Sequence, residues 1–297
     1  MHWRCLNTGD RTGQFNMMLD ERLAANLRDG FGRPTIRFFG WRPWAVSLGF
    51  NQSEAGINQE KCASDGIDVV RRPTGGRAIL HARELTYSVV MYSAGRSIVD
   101  VYHDIGRALV RGLRLFGMDA ELMRSQPARD ESGYGIPPLR SWRHVPCFAS
   151  AARYEISVGG KKLVGSAQRR YRSGVEGEVV LQHGSILVGP EHRRLVDYVA
   201  TGMSGPDRLV AAASGRDVDG LAELNERSTE LETVVGGDVG LPVLRDCIRR
   251  GFEEEWEISL VEEDIDQVDE LLAWTTSEPM RDSLAGGLGK ERLGSLQ

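Results

Sequence analysis

The chain has 297 residues, of which 41% are hydrophobic and 27% are charged, as in an ordinary globular protein. This length suits one large domain, or one domain plus a small appendage. Its net charge of −5 argues against non-specific binding to nucleic acid. No uncharged apolar run is long enough to span a bilayer, and residues 1–5 lack the apolar core of a secretion signal. We therefore expect a cytoplasmic protein without nucleic-acid or membrane partners.

The cysteines argue against a structural metal or a disulfide framework. The chain has four of them, Cys5, Cys62, Cys147 and Cys247. They are widely spaced, and none forms a Cys-x-x-Cys pair. We therefore expect no metal site.

The N-terminal half alternates between helical and strand patterns. Residues 15–23 place apolar side chains on one face of a helix, and residues 36–39 and 45–50 are typical of strands. Ser97 is expected to cap the next helix, with Asp100 completing a capping box. The apolar stripe of that helix consists of Ile98, Val101, Ile105, Leu109, Leu113 and Phe116. Its other face, with Arg107, Arg111 and Arg114, is expected to lie in solvent.

The second half begins with a predicted long loop over residues 124–141, which are rich in Pro, Gly, Ser and charge. Gly159-Gly160 predicts a two-residue hairpin turn between strands at 154–158 and 162–168, and a further strand is expected at 179–188. Beyond Pro190 the pattern becomes helical. The helices are expected over residues 221–231, from Pro242 onward with a stripe of Leu244, Ile248 and Phe252, and over residues 264–274.

Together these elements predict an α+β fold. We expect a mixed, mostly antiparallel sheet flanked by helices, followed by a small helical C-terminal region. The main domain is expected over residues 1–190, the helical region packed on it over 191–280, and a disordered tail over 281–297.

The segment 71–81, Arg-Arg-Pro-Thr-Gly-Gly-Arg-Ala-Ile-Leu-His, lies between strand patterns and is not required by packing. Adjacent glycines let a backbone approach a ligand closely and permit positive φ, and successive amides can form a nest for an anion. A hairpin turn with solvated arginines explains the same residues, and the segment alone does not decide between the two.

Four further positions carry reactive or charged groups, and each has a plain alternative. Cys147 is a candidate nucleophile or a small buried hydrophobic residue. Lys162 starts a strand, either as a functional amine or as a surface lysine beside Lys161. His183 interrupts an apolar strand and is a ligand group or a hydrogen-bonded core histidine. The basic run 169–172 is a docking patch or a solvated face.

The order of these motifs resembles the lipoate–biotin protein ligase superfamily over nearly the whole chain. An Arg-Arg-x-x-Gly-Gly-x-x-x-x-His motif falls on Arg71, Arg72, Gly75, Gly76 and His81. A Gly-x-Lys-x-x-Gly-Ser-Ala motif falls on Gly160, Lys162, Gly165, Ser166 and Ala167, and His-Gly-Ser falls on His183, Gly184 and Ser185. Segments 16–20 and 45–52 are also similar to the N-terminal segments of that superfamily.

Within the superfamily, the chain is most similar to the cysteine-dependent octanoyltransferases of lipoate assembly. That subgroup typically has Thr-Gly-Gly-Arg-Ala before the histidine, as residues 74–78 have here, and a Cys-Phe pair like Cys147-Phe148. ATP-dependent lipoate ligases usually show a third glycine and His-Asp. Here Arg77 replaces the glycine, and Ala82 follows His81.

The resemblance implies a ligase-like catalytic domain that moves an octanoyl group from acyl carrier protein to a lysine of a lipoyl domain. The acceptor would be a glycine cleavage H protein or the E2 subunit of a 2-oxoacid dehydrogenase. Cys147 would form the acyl-enzyme, and the Lys162 ammonium would favour its thiolate. Because the donor is already a thioester, no ATP or other cofactor would be needed.

The resemblance also implies the substrate-binding residues, which are Arg72, Thr74, Gly75, Gly76, Arg77, His81, Gly165, Ser166, Ala167, His183, Gly184 and Ser185. Gly75 and Gly76 would line a dry tunnel for the octyl chain, with His81 and His183 in its wall. Arg72, Arg77 and Arg169-Arg170 would steer acidic partners toward the site.

Three alternatives stay open. An ATP- and magnesium-dependent lipoate ligase would form lipoyl-AMP, with Lys162 on the phosphate and Cys147 as packing. An amidotransferase would move acyl groups between two lipoyl proteins. A non-catalytic paralogue would bind acyl or lipoyl proteins without a covalent intermediate.

Overall fold

The computed structural model describes residues 2–124, 154–173, 177–200 and 224–263. In chain order its strands are β1 (His2–Arg11), β2 (Thr35–Trp41), β3 (Ala45–Leu48), β4 (Asp68–Arg71), β5 (Ile79–His81), β6 (Glu84–Tyr92), β7 (Ala120–Arg124), β8 (Tyr154–Val158), β9 (Lys161–Arg172), β10 (Glu178–Leu187) and β11 (Ser259–Glu263). The α-helices are α1 (Gly13–Arg28), α2 (Gln59–Ser64), α3 (Ile98–Leu115), α4 (Leu231–Val235) and α5 (Leu241–Trp256), and 3-10 helices cover Glu54–Gly56 and Pro190–Tyr198.

The strands form two sheets. The large sheet has the order β11-β1-β2-β6-β10-β9-β8-β7, in which only the β11–β1 and β1–β2 pairs are parallel. The small sheet has the order β4-β3-β5 and carries the segment 71–81 between β4 and β5. The predicted α+β class, with a mostly antiparallel sheet flanked by helices, is confirmed.

Helix α3 covers one face of the large sheet as its apolar stripe predicts. Ser97 caps the helix, and Asp100 completes the predicted capping box. The stripe from Val101 to Leu113 is buried in the main core, whereas Ile98, in the first turn, is 52% exposed. Helix α1 packs on the opposite face, where Leu19, Leu23 and Leu27 form a second core with β6 and β10.

The arginine face of α3 is exposed to solvent as expected, with the Arg107 and Arg111 side chains 57% and 50% exposed, but these two arginines also have acidic partners. Arg107 forms an ion pair with Glu255, and Arg111 forms one with Glu254, 2.7 Å apart, so this face is turned toward α5. The sequence pattern identified the polar face correctly but could not show that a second helix supplies the opposite charges, with Glu254 lying 143 residues after Arg111.

The predicted hairpin at Gly159-Gly160 is confirmed. The two glycines have φ of 57° and 76°, a conformation that a two-residue turn requires and that side chains disfavour. The turn joins β8 to β9, and β9 then pairs along its length with β10.

The C-terminal part differs from the prediction at β11 and in the described part of the segment 221–231. Pro242 begins α5, and Leu244, Ile248 and Phe252 are buried as expected. The strand β11 was not predicted, and its parallel pairing with β1 makes residues 259–263 part of the large sheet. Of the helix expected over 221–231, the described part forms one turn at 224–227. The loop 124–141, the helix 264–274 and the tail 281–297 lie outside the described residues, except for Arg124 in β7.

No helix in the described ranges is long and apolar enough to cross a membrane.

Replacing Gly112 with alanine is expected to separate α3 from α5. The added Cβ would lie 2.6 Å from Ile248 Cα and 2.9 Å from the Cys247 carbonyl oxygen, both of them backbone atoms. We expect the free energy of unfolding, measured by urea titration, to fall by about 1–3 kcal/mol. Gly106→Ala is the control because its Cβ meets only the Leu122 side chain. An equal loss in both variants would contradict the helix–helix explanation.

Candidate active site

Pairing of four central strands builds two rows of facing residues across the large sheet. The first row runs through Arg37, Ser88, His183 and Ala167. The second runs through Phe39, Thr86, Ser185 and Gly165. The register thus brings the His-Gly-Ser motif of β10 directly opposite the Gly-Ser-Ala motif of β9, on the side where α1 and the small sheet pack.

Asp20 of α1 forms hydrogen bonds with three side chains of the first row. Its carboxylate accepts hydrogen bonds from Arg37 Nη1 at 2.8 Å, Ser88 Oγ at 2.8 Å and His183 Nδ1 at 3.1 Å. Asp20 and Arg37 are both completely buried. Burial by itself raises the pKa of Asp20, but the Arg37 guanidinium and the His183 hydrogen bond outweigh it and hold that pKa below its ordinary value.

His183 connects this buried ion pair to the segment 71–81. Burial lowers the pKa of His183, which is therefore neutral near pH 7. Since Nδ1 donates to the Asp20 carboxylate, Nε2 is the acceptor, and the Thr74 hydroxyl donates to it at 2.6 Å. His183 is a hydrogen-bonded core histidine that also fixes Thr74.

His81 occupies a similar position between a carboxylate and a hydroxyl. Its Nδ1 donates to Glu84 Oε1 at 2.8 Å, and its Nε2 lies 2.7 Å from Ser47 Oγ. Ser185 Oγ also donates to Glu84, at 2.7 Å. The ring stacks on Trp41 with centroids 4.0 Å apart. Burial raises the pKa of the Glu84 carboxyl. The effects of His81 and of the hydrogen bonds from Thr86 and Ser185 are larger, so this pKa lies below its ordinary value.

The expectation that Arg72 steers partners is wrong, because its side chain is only 3% exposed. Its guanidinium donates to the carbonyl oxygens of Ser47, Gly75 and Arg77 and to Ser47 Oγ. Arg72 therefore holds the glycine loop closed onto β3.

The expectation that Gly75 and Gly76 line the tunnel also needs correction. Both are exposed, and neither belongs to the cavity wall described below. Gly76 has φ of 96°. A Cβ added to Gly49 would lie only 2.0 Å from the Gly76 carbonyl oxygen. The close approach of the two backbone segments therefore requires glycine at position 49, and the positive φ favours glycine at position 76.

The basic residues beside this loop are held by the protein itself. Arg169 packs on the Phe50 ring, 4.2 Å from its centroid, and donates to the Pro73 carbonyl at 2.9 Å. Arg170 binds Glu178 and the Arg96 carbonyl. Arg169 and Arg170 are thus bound within the protein, whereas Arg172 is exposed.

A narrow cavity lies between the two rows and the small sheet. Its lining residues are Met17, Trp41, Ser47, Arg72, Ile79, His81, Thr86, Gly165, Ser166, Ala167, His183, Gly184 and Ser185. Its volume is about 20 Å³, which holds the centre of about one water molecule. A side chain at position 184 would not fit without a shift of its neighbours, because a Cβ there would lie 2.5 Å from the Gly165 carbonyl oxygen.

Lys162 is a buried lysine, not the surface residue of the plain alternative. Its side chain is 4% exposed, and Nζ lies 2.9 Å from Glu155 Oε1 on β8. Lys162 is not part of the cavity lining. Cys147 lies outside the described residues. Cys5, Cys62 and Cys247 are described, and burial raises the pKa of each thiol, which for Cys5 reaches about 12.

The sequence analysis missed four residues that organise the site, namely Asp20, Arg37, Glu84 and Trp41. Two signals were present in the sequence. Asp20 ends the segment 16–20 that resembled the superfamily, and Glu84, Thr86 and Ser88 alternate along an otherwise apolar strand.

The chain belongs to the lipoyl protein ligase A/B catalytic domain family, which matches residues 12–236. Within it the chain is an acyltransferase. It is 36% identical over 284 residues to octanoyltransferase LipM of Symbiobacterium thermophilum, covering 93% of this chain and 94% of the relative. It is 37% identical over 261 residues to octanoyltransferase LipM of Kyrpidia tusciae, covering 85% and 86%. The resemblance inferred from the motifs is confirmed.

Solved structures share the fold at low sequence identity. A bipartite lipoate protein ligase from Thermoplasma acidophilum, studied with its E2 lipoyl domain, has a TM-score of 0.68 and 20% identity, with 95% of both chains covered. A lipoate-protein ligase A bound with ATP has a TM-score of 0.63 and 23% identity, covering 94% of this chain and 95% of the other. At these identities the likeness shows the fold alone.

Asp20→Asn is expected to lower the free energy of unfolding by about 3–5 kcal/mol, because it leaves the Arg37 guanidinium buried without a counter-charge. Ser88→Ala is the matched control, since it removes one hydrogen bond to the same carboxylate and should cost about 1 kcal/mol. Chemical unfolding followed by tryptophan fluorescence measures both. Equal losses would show that the charge pair is not the main contribution.

The free energy of unfolding is expected to fall as pH drops below about 6.5. Burial lowers the pKa of His183 from its ordinary value of 6.5. Just below pH 6.5, the unfolded chain therefore binds a proton at this residue that the folded chain does not bind. His192, whose pKa burial lowers to about 4, acts in the same direction. His183→Asn, which retains an amide donor for Asp20, should reduce the slope of unfolding free energy against pH. An unchanged slope in His183→Asn would contradict this assignment.

Proposed function

We propose that this enzyme transfers an octanoyl group from acyl carrier protein, through a thioester on Cys147, to a lysine of a lipoyl domain. The observation that carries the proposal is an apolar cavity behind His81 and His183 in a chain 36% identical to an enzyme named octanoyltransferase. The acceptor is a glycine cleavage H protein or the E2 subunit of a 2-oxoacid dehydrogenase. No ATP, metal or other cofactor enters this reaction.

The cavity suits an alkyl chain because its polar groups bond to one another. Ser47, Ser185 and Thr86 donate to or contact His81 and Glu84, and Ser166 pairs with the Tyr87 hydroxyl at 2.7 Å. Carbon atoms are left facing the space between them. Burying seven methylene or methyl groups there contributes roughly 5–6 kcal/mol, at ~0.8 kcal/mol each.

The cavity must widen to admit eight carbons, since its present volume is about 20 Å³. Met17 is the wall residue best suited to move, because an unbranched thioether chain changes rotamer at low cost. The strand residues Gly165 and Gly184 are fixed by the β9–β10 pairing and form the rigid wall.

The proposed chemistry has two steps. The Cys147 thiolate attacks the thioester carbonyl of octanoyl–acyl carrier protein, and the carrier leaves as a thiolate when its carbon–sulfur bond breaks. The neutral amine of the acceptor lysine then attacks the octanoyl-Cys147 carbonyl, forming the amide, expelling the Cys147 thiolate and releasing one proton, which balances the proton that the carrier thiolate takes up to become a thiol. Lys162 supplies a buried cation that favours the thiolate over the thiol and stabilises the oxyanion of each tetrahedral intermediate.

The protein partners are expected to meet the surface around Gly75 and Gly76. Both glycines are exposed, and Arg77, Arg169 and the 48%-exposed Phe50 border them. An acidic carrier or lipoyl domain would find cations and an aromatic ring on this surface.

An ATP-dependent lipoate ligase is the competing function, favoured by the fold shared with a ligase that binds ATP. It requires lipoyl-AMP and predicts that Cys147 is dispensable. An amidotransferase would use the same Cys147 thioester with a lipoyl protein as donor.

Intact-protein mass spectrometry after mixing the enzyme with octanoyl–acyl carrier protein, without ATP, tests the proposal. We expect a hydroxylamine-labile octanoyl adduct that Cys147→Ala abolishes and Cys247→Ala, at a partly exposed thiol on α5, retains. No adduct, together with ATP- and magnesium-dependent modification of a lipoyl domain by Cys147→Ala, would establish the ligase. No activity of either kind would leave a binding protein.

A further inference from the structure

The side chain of Arg169 is held in one orientation by two aromatic rings and a backbone carbonyl. Its Cζ atom lies 4.2 Å from the centroid of the Phe50 ring and 5.1 Å from that of the Tyr171 ring. Within the described part of the chain, only Nη1 of its guanidinium makes a hydrogen bond, to the Pro73 carbonyl at 2.9 Å. The other guanidinium nitrogens of Arg169 therefore have donors left for a ligand.

The positive charge of Arg169 is not cancelled by an acid in the described ranges. Arg169 lowers the pKa of Glu21 on α1, but burial raises that pKa more, and the two side chains form no ion pair. Burial raises the pKa of Tyr171 to about 12, so this ring is neutral near pH 7. In contrast, the neighbouring Arg170 is paired with Glu178 at 2.8 Å. Of these two arginines, only Arg169 is available to a partner.

Arg169 also extends the wall of the cavity toward the surface. Alternate residues of a strand share one face, so Arg169 lies on the same face of β9 as Gly165 and Ala167, both of which line the cavity. It follows Ala167 by two residues, or about 7 Å along the strand. Gly165 is buried, whereas the Phe50 ring against Arg169 is 48% exposed. The Phe50–Arg169 pair therefore lies at the rim of the cavity.

We propose that the Phe50–Arg169 pair is a docking contact for the acceptor lipoyl domain, in which a surface carboxylate of that domain binds the guanidinium beside the ring. The inference rests on the proposed function, in which a lysine of the domain receives the octanoyl group. That lysine has a stem of only four carbons, so the domain must press its own surface against the rim of the cavity. An acyl carrier presents its thioester on a longer prosthetic arm, which keeps the body of the carrier away from the rim.

The geometry of the pair suits a carboxylate on a protein surface. A guanidinium binds a carboxylate through a planar fork of donors, and stacking on a ring leaves the edge of that fork open. Because Phe50 and the Pro73 carbonyl already fix the Arg169 side chain, little rotamer entropy is lost when a partner binds. Aromatic and arginine side chains of this kind supply much of the binding energy in protein interfaces.

Titration calorimetry of the full chain with an unmodified lipoyl domain tests the proposal without any acyl transfer. We expect Arg169→Gln to raise the dissociation constant about tenfold, because it removes charge-assisted hydrogen bonds to the carboxylate. Phe50→Ala should raise the constant as well, since the guanidinium then loses the ring that orients it. The double variant should raise it by less than the product of the two single increases, because the two side chains form one contact.

The matched control is Arg172→Gln, which removes the same charge from an exposed position three residues further along β9. Its dissociation constant should equal that of the wild type. An equal increase in Arg172→Gln and Arg169→Gln would show that the domain responds only to the overall charge, and an unchanged constant in Arg169→Gln would show that it does not bind there. Either result overturns the proposal.

The same titration with acyl carrier protein bearing its prosthetic arm tests which partner is bound. Arg169→Gln should weaken the lipoyl domain more than the carrier, and an equal loss for both overturns the assignment to the acceptor. If circular dichroism shows that Arg169→Gln does not fold, Arg169→Lys decides. That variant keeps the charge but lacks the planar fork, so it should still weaken binding of the lipoyl domain.

The parent function is checked separately. Failure of the wild-type enzyme to attach an octanoyl group to the lipoyl domain refutes the proposed function. Normal attachment by the wild type, together with unchanged dissociation constants in Arg169→Gln and Arg169→Lys, refutes the docking role of Arg169 alone.

Discussion

The Asp20–Arg37 ion pair is the constraint on which the site depends. Both side chains are completely removed from water. Burying two charges costs far more free energy than burying two neutral groups, unless each charged group has hydrogen-bond partners. Those partners come from separate elements: Thr8 of β1, Asn16 of α1, Ser88 of β6 and His183 of β10. The pair is therefore satisfied only when helix and strands meet in one arrangement, and that arrangement also fixes His183 and Thr74.

The same logic explains how a wall with many polar residues encloses an apolar space. The carboxylates of Asp20 and Glu84 lie behind His183 and His81, which in turn face the hydroxyls of Thr74 and Ser47. The polar atoms in these bonds already have hydrogen-bond partners, so a ligand does not have to supply a hydrogen bond to them. Binding of an alkyl chain is then governed by shape and by the removal of carbon surface from water.

The distant parts of the chain converge on Lys162. Its side chain binds Glu155 on the adjacent strand, while its backbone binds residues 228 and 229. Nearby, Arg193 and Glu230 form an ion pair, and Arg83 and Glu232 form another, so the segment that follows residue 224 is also joined to the 3-10 helix Pro190–Tyr198 and to the turn before β6. The C-terminal region thus contacts β9 at one point and adds β11 to the edge of the large sheet at another.

The sequence by itself determined features whose cause is local. Positive φ at Gly159-Gly160, the Ser97 cap and the α3 stripe each depend on residues a few positions apart, and the ordered motifs identified the family. Only the tertiary structure decided the partners, because periodicity shows which face a side chain takes and not what covers that face. Asp20 and His183 lie 163 residues apart, so their contact exists only through the pairing of α1 with β10. For the same reason Arg72, which the sequence presents as a cation for docking, is a buried brace of the glycine loop.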